Sequence, residues 1–371
     1  MNKKQDCLYY LADKFNEKIN EHPIEFSTIH FNSRSMTKNF DQITAYLSSI
    51  SHNFSAIALT ETWLSPDNES LFCLDGYNFV NKNRLTGKGG GVGLFLRNEL
   101  DYIIRNDLNS DFSTCETVFV EINVPKGQNV IVGVLYRPPK SNVDNYLTYF
   151  DSLLKRLSKE NKQIYLLGDY NLDLLKVNSN KVLSIMNIIS LYGFYVQINI
   201  PTRISKTSAT LIDNILANTN ELQSGVLYSS ITDHLPVFCF KKVCSKSYNN
   251  QTCTYRKLTP SAIENFKKDL YRADWNECYK SDDVDSAYNS FIALFLDLYN
   301  KHFPLVTMKR KKKNKRPWVT KKILKMIKKK NKLYKKFCTS RLASDERKFK
   351  IFRNNLITTL RTSKQEYYKV F

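Results

Sequence analysis

Short apolar runs recur along the first two thirds of the chain, and most of them close on polar residues. IEFSTIHF (24–31) alternates apolar and polar positions as a strand does, and it delivers Asn32 at its end. SAIALTETWL (55–64) is a second such run, with Glu61 near its close. ETVFVEINV (116–124) and NVIVGVLYRPP (129–139) predict an antiparallel pair joined by a Pro-Lys-Gly-Gln turn. The second of these places Tyr136 and Arg137 at its end, and the two prolines forbid further ladder pairing. IYLLGDYNLD (164–173) is a buried-strand run that ends abruptly in Gly168, Asp169, Asn171 and Asp173. TLIDNILAN (210–218) reads as a strand with Asp213 at its centre, and ITDHLPVFCF (231–240) as a last one opened by Thr232, Asp233 and His234. Between them, helical spacing covers 39–50, with Phe40, Ile43 and Leu47 on one face, then 143–160 and about 180–192.

Beyond residue 243 the pattern changes. Residues 244–258 have no periodicity and predict a linker, and Thr259-Pro260 then opens a helix carrying Ile263, Phe266 and Leu270. Further helices are expected over 284–300, from Val319 to Phe337, and from near Ser344 onward with Phe349, Phe352, Leu356 and Leu360 on one face. The organisation expected is therefore an N-terminal lead (1–23), an alternating α/β body (24–243), a linker (244–258) and a helical region (259–371).

Charge sharpens this division. The chain of 371 residues carries a net +21, and residues 244–371 hold 32 Lys and Arg against 11 Asp and Glu, so the body is neutral. Residues 301–371 alone contain 25 basic and 3 acidic residues. A helical region so strongly of one sign repels itself unless a polyanion is present. Nucleic acid is expected over a membrane, because these helices lack the Trp- and Leu-heavy face of an interfacial anchor. The run KRKKKNKR, comprising Lys309, Arg310, Lys311, Lys312, Lys313, Lys315 and Arg316, is the candidate nucleic-acid contact, and it also suits a nuclear-import signal. With 42% apolar residues the chain is a folded protein. Eight cysteines without a C-x-x-C pair speak against a structural zinc site or a disulfide framework. No apolar leader or membrane-length run is present, and an intracellular, nuclear protein without an obligate protein partner is expected.

Several pieces invite competing readings. Gly87 and Gly89 to Gly91 match neither phosphate-loop spacing, so a turn leading tightly into a strand is the better account. Glu116 reads as a structural polar residue and Asp173 as a turn residue, while Arg137 suits either DNA or a salt bridge. Taken singly, each polar strand end is ordinary turn chemistry. Taken in order, Asn32, TETW, YRPP, GDYNLD, LIDNI and TDH form a constellation. That set, over about residues 24–243, resembles the endonuclease/exonuclease/phosphatase superfamily. The wording TETWLS, LYRPP, LLGDYNLDL, PTR and SSITDHLPV is more narrowly similar to the endonuclease domain of LINE-type, non-LTR retrotransposon proteins.

The resemblance implies a four-layer α/β sandwich, two packed sheets flanked by helices, with its site at one rim. It implies an enzyme dependent on Mg²⁺, or Mn²⁺ in its place, since a hard cation takes carboxylate oxygens and phosphate. Glu61 is the leading metal ligand, joined by Asn32 and Asp233. Asp169 matches the residue that orients or deprotonates water, and Asn171, two residues on and on the same face of an extended segment, holds phosphate or metal-bound water. Asp213 matches the carboxylate that hydrogen-bonds the catalytic His234, which serves as general base or as cationic stabiliser. Tyr136 and Thr202 are implied phosphate contacts. The expected activity is nicking of one DNA strand to a 3′-hydroxyl and 5′-phosphate, with RNA a second ligand of the basic region. A repair-type apurinic endonuclease or phosphatase of the same superfamily, and an inert nucleic-acid-binding relic, are the alternatives. No aromatic-x-Asp-Asp polymerase strand occurs, so the reverse transcriptase half is expected to be missing.

Overall fold

In the computed structural model the described residues are 7–21, 23–84, 87, 89–109, 114–125, 127–242, 252–256, 258–281, 283–309 and 316–369. They divide into two compact units, Met1–Cys244 with Asn314–Phe371, and Ser245–Lys313.

The larger unit is built on two mixed sheets. One has seven strands in the spatial order Leu8–Tyr10, Leu222–Leu227, Val237–Lys242, Ile24–Asn32, Ala56–Thr60, Val92–Arg97 and Tyr77–Lys82. The other has six, in the order Tyr195–Val196, Asp213–Ala217, Gln163–Asp169, Val130–Tyr136, Glu116–Ile122 and Tyr102–Ile104. Period-two alternation explains how the sheets stack. In the strand Ala56–Thr60, Ala56 and Ala58 join the core between the sheets, whereas Ile57 and Leu59 join the core on the other face. Phe26 of one sheet meets Tyr165 of the other with ring centroids 5.0 Å apart. The helix Met36–Ser48 covers the outer face of the first sheet with Phe40, Ile43 and Tyr46, and Val143–Leu157 supplies Tyr146, Phe150 and Leu154 to the core of the second. This is the expected four-layer sandwich.

Several boundaries differ from the sequence reading. The expected N-terminal lead contributes an edge strand parallel to Leu222–Leu227 and a helix, Ala12–Asn20, that buries Phe15 and Ile19. TLIDNILAN is two strands, Ala209–Thr210 and Asp213–Ala217, so Asp213 opens a strand and does not sit at the middle of one. The helices Lys321–Ser340 and Ala343–Lys369 form an antiparallel hairpin belonging to the larger unit. Ile323, Ile327, Leu356 and Leu360 join the same core as Ile43 and Tyr46, and Lys364 Nζ meets Asp41 at 2.7 Å. The helical spacing was legible; what was not is that its apolar stripe packs on the helix Met36–Ser48.

The smaller unit pairs Thr252–Arg256 with Leu305–Lys309 in an antiparallel ribbon, so the expected linker contains a strand. Its helices are Pro260–Arg272, capped by Thr259, Asn276–Tyr279 and Val284–His302. Phe266 packs edge-on to Phe295, Tyr299 and Phe303, and Asp269 receives Lys301 and His302. No helix among the described residues is long and apolar enough to cross a membrane.

Candidate active site

Strand register brings the polar ends together. Asn32 pairs with Thr60 in a parallel ladder, which sets Glu61 beside it. Tyr136 pairs with Asp169 in a second parallel ladder, and Asp213 pairs with Asp169 from the other side. His234 lies just before the strand whose Val237 pairs with His30.

Asn32 is the bridge. Its Nδ2 donates to Glu61 Oε1 at 2.9 Å and to Asp169 Oδ2 at 3.0 Å, while its Oδ1 accepts from the Arg34 amide. One amide therefore spaces two carboxylates that would otherwise repel each other. Asp169 is fully buried and also accepts the Asn171 amide at 2.9 Å. Burial, and after it the charge of Asp213, pushes its carboxyl up to about 7.

Beside it, Asp213 accepts from His234 Nδ1 at 2.9 Å, and the Thr202 hydroxyl donates to the same carboxylate at 2.8 Å. Burial opposes a charged imidazole, but the Asp213 charge and hydrogen bond, with Asp169 and Asp233 behind them, push His234 up to about 9. Burial likewise opposes the Asp213 charge, and His234 overrides it and holds that carboxyl below the ordinary range. With Nδ1 committed to Asp213, Nε2 is the nitrogen left for a substrate. Ligand atoms of Asp169, Asp213 and His234 lie within 4.8 Å of one another. Within this trio the Asp213–His234 hydrogen bond already commits the Asp213 carboxylate and the imidazole Nδ1 to each other.

The backbone around the site is unusual. Glu61 (φ 51°), Trp63 (φ 54°) and Asn171 (φ 48°) all adopt left-handed conformations without being glycine. Such residues cost about 1–3 kcal/mol each and persist where surrounding bonds over-determine them. Here Ser35 and Met36 donate backbone N–H to Glu61 and Thr62 carbonyls, and Thr62 and Trp63 donate to Gly91 and Gly90. The glycine cluster is thus the tight turn into the strand Val92–Arg97 that its spacing suggested. Gly91 (φ 85°) could not carry a side chain, because a Cβ would lie 2.3 Å from Thr62 Oγ1.

Other expected residues are placed differently. The Asp169 strand ends at residue 169, so Asn171 sits in a left-handed turn and not on an extended segment, and its Nδ2 donates to the Arg137 carbonyl at 2.8 Å. Arg137 is buried and clamps the carbonyls of Tyr170 and Asn171, serving neither DNA nor a salt bridge. Thr202 is buried and turned inward: its hydroxyl donates to Asp213 and accepts from the Ile212 and Asp213 amides, which removes it from the phosphate contacts. Asp233 is gripped by two guanidiniums, Arg34 Nη1 and Arg203 Nη2, the latter at 2.7 Å, which takes its oxygens out of the metal set. Tyr136 is buried, and burial followed by the charges of Glu61 and Asp169 raises its hydroxyl, keeping it a neutral donor. Glu116 accepts from Arg84 and the Gly91 amide, a structural role. Asp173 accepts the Leu175 and Leu211 amides as a turn residue does.

Arg316, from the basic run, lies over Trp318 and Phe40 and donates to the Cys73 carbonyl, so it packs against the body and is not a free phosphate contact. Lys309 closes a strand, and Arg310, Lys311, Lys312, Lys313 and Lys315 lie outside the described residues. His30 was missed. It is buried, bonds Thr60 Oγ1 at 3.0 Å and comes within 3.9 Å of Asp213, and burial pulls it down to about 4, leaving it neutral. Its position two residues before Asn32, on the same face of one strand, was the available signal.

A two-sheet α/β sandwich with buried carboxylates and an imidazole at one rim is the frame of a phosphoester hydrolase. The chain belongs to the endonuclease/exonuclease/phosphatase family, which matches residues 29–234, more than half of its length. Members of that family are hydrolytic nucleases and phosphatases. Among solved structures, the chain is similar to the endonuclease domain of TRAS1, a telomere-specific non-LTR retrotransposon, at 12% identity and a TM-score of 0.48, over 59% of this chain and 99% of that one. It is also similar to a 3′-5′ exonuclease from Neisseria meningitidis (16% identity, TM-score 0.46, 58% and 100% covered). An apurinic endonuclease from Archaeoglobus fulgidus follows at 15% identity and a TM-score of 0.44, with 59% and 100% covered. No curated protein sequence matches.

Proposed function

We propose that this chain is a divalent-cation-dependent DNA endonuclease of retrotransposon type, nicking one strand to leave a 3′-hydroxyl and a 5′-phosphate. The observation that carries the reading is the Asn32 bridge between Glu61 and Asp169, set against the Asp213–His234 pair. Glu61 fits a cation ligand on the chemistry of its donors: one carboxylate oxygen receives Asn32, and no cationic side chain pairs with it among the described residues. Asn32 completes the oxygen-rich corner, and Mg²⁺, or Mn²⁺ in its place, is the hard ion such oxygens take. The bound cation would neutralise charge developing on the phosphate.

The chain's own residues supply the rest. Asp169, with its carboxyl near neutrality, is suited to orient an attacking water and accept its proton. Water oxygen bonds to phosphorus as the bond to the 3′-oxygen breaks, Asp169 takes the water's proton, and the leaving 3′-oxygen takes a proton from solvent to become the 3′-hydroxyl. His234 stays protonated at neutral pH, which favours its role as a cationic donor from Nε2 to the phosphate over that of general base. Tyr136 donates to a phosphate oxygen, and Asn171 keeps Asp169 and Arg137 in place as much as it could meet substrate. The basic helices and the run 309–315 retain DNA or RNA, and that run directs the protein to the nucleus.

The test is incubation of the purified chain with supercoiled plasmid, an abasic duplex and a phosphomonoester, each with Mg²⁺ or EDTA. Nicking of intact plasmid that needs Mg²⁺ and is lost in Asp169→Ala is the expected result. Cleavage confined to abasic duplex would make it a repair-type enzyme, and phosphate release a phosphatase. Retention of DNA without turnover would make it a binding relic.

A further inference from the structure

The C-terminal hairpin does more than cover a sheet. Between it and the catalytic rim lies a cavity of about 530 Å³ lined by Arg34, Lys38, Trp63, Lys206, Tyr334 and Arg353, among others. Thr232, which lines it, donates its hydroxyl to the Asn32 carbonyl at 3.1 Å and accepts the His234 amide at 3.2 Å, so the cavity borders the segments that carry the proposed chemistry. Its size lies within the roughly 300–1,000 Å³ of small-ligand sites, the scale of one or two nucleotides and not of a duplex.

Its lining mixes cations with aromatic rings. Trp63 remains 46% exposed, yet its backbone is fixed by a bond to the Gly90 carbonyl at 2.9 Å. Lys38 has no carboxylate partner among the described residues. Arg353 crosses the face of Phe349 at 5.6 Å. The two acids present, Asp233 and Glu346, are already held by Arg34 and Arg203, and by Lys206 and Lys350. The Lys206–Glu346 pair ties the loop after Thr202 to the first turn of the last helix, at 2.7 Å. An exposed ring on a fixed backbone, set among cations, is the arrangement that holds single strands, in which bases stack while phosphates meet charge.

We propose that this groove takes an unpaired nucleic-acid strand next to the scissile phosphate, with Trp63 stacked on a base and Arg353 and Lys38 facing the backbone. The inference rests on the nuclease reading and adds its substrate class: nucleic acid with a single-stranded flank on one side of the nick. The full chain with Mg²⁺ would be given three substrates of one sequence, fully paired or with an unpaired flank on either side of the scissile bond. One flank should raise kcat/KM roughly tenfold, the worth of one good stack. Trp63→Ala and Arg353→Gln should bring that ratio towards one, and Trp63→Phe should keep most of it. Equal cleavage of all three by the unaltered chain, or a ratio that survives both substitutions, overturns the proposal.

Fluorescence anisotropy with a labelled single-stranded oligonucleotide separates its failure from that of the nuclease reading. Binding that Trp63→Ala weakens about tenfold supports the groove even where no strand is cut. Absence of such binding overturns it, whatever the chain does to plasmid.

Discussion

At the scale of single residues, the proposed chemistry turns on one proton on His234. Asp213 raises that imidazole above its ordinary value of ~6.5 to about 9. The sign follows: the ion pair stabilises the fold fully below the unfolded value, and the gain is lost as pH climbs towards 9. Activity that needs the imidazolium should fall along the same alkaline limb. Asp213→Asn removes the charge that does the raising, so the limb of the kcat/KM profile should move down towards ~6.5, with rate lost by about a hundred- to ten-thousand-fold where positioning fails as well. An unmoved limb would mean that another group titrates there. That Asn32, Glu61, Asp169, Asp213 and His234 come together was legible because type and order mattered more than exact geometry. Thr202, Asp233 and Asn171 were misread because a sequence gives a polar atom but not what it faces. Thr202 turned out to face a carboxylate, Asp233 two arginines, and Asn171 a carbonyl in a left-handed turn.

At the scale of elements, the site depends on strand ends arriving in register, and one glycine guards that register. Gly168 lies beside Leu135 in the parallel ladder that sets Tyr136 against Asp169, and a Cβ there would fall 1.8 Å from the Leu135 carbonyl oxygen. Backbone cannot yield as a flexible side chain can, so Gly168→Ala must push the two strands apart. Loss of roughly 1–3 kcal/mol is expected, as in overpacked cores, together with activity lost beyond the fraction unfolded. Thermal melting and nicking measured on the same sample check this; full activity at a lowered Tm would show that the register survives. Strands with a long alternating or apolar run were visible in sequence. Short ones such as Leu8–Tyr10 and Tyr195–Val196 were not, since two or three residues carry no period and owe their extension to a neighbouring strand.

For the whole molecule, the basic C-terminal segment must be split by what each part touches. Charge alone divides the chain into a neutral body and a separate basic region. The hairpin formed by Lys321–Ser340 and Ala343–Lys369 contradicts this, because it presents most of its lysines outward, Lys330 excepted, and Ile323, Ile327, Leu356 and Leu360 inward. Tyr334, Phe337 and Phe349 join the core that runs between the two sheets. Removing the hairpin would leave Ile43, Tyr46 and their neighbours facing water, at about 25 cal/mol for each Å² of apolar surface uncovered. A chain ended at residue 243 should therefore melt roughly 10 °C lower or aggregate, and not behave as an intact nuclease body. Replacing exposed Lys322, Lys325, Lys328 and Lys332 by Gln separates charge from packing, since none of the four is buried, whereas Lys336 is left in place because it holds the buried Asp345. That variant should keep its Tm, while the slope of log K against log salt for DNA binding shrinks by about 0.9 for each phosphate that is no longer neutralised. A lowered Tm with an unchanged slope would mean that these lysines support the hairpin and leave nucleic acid to the groove.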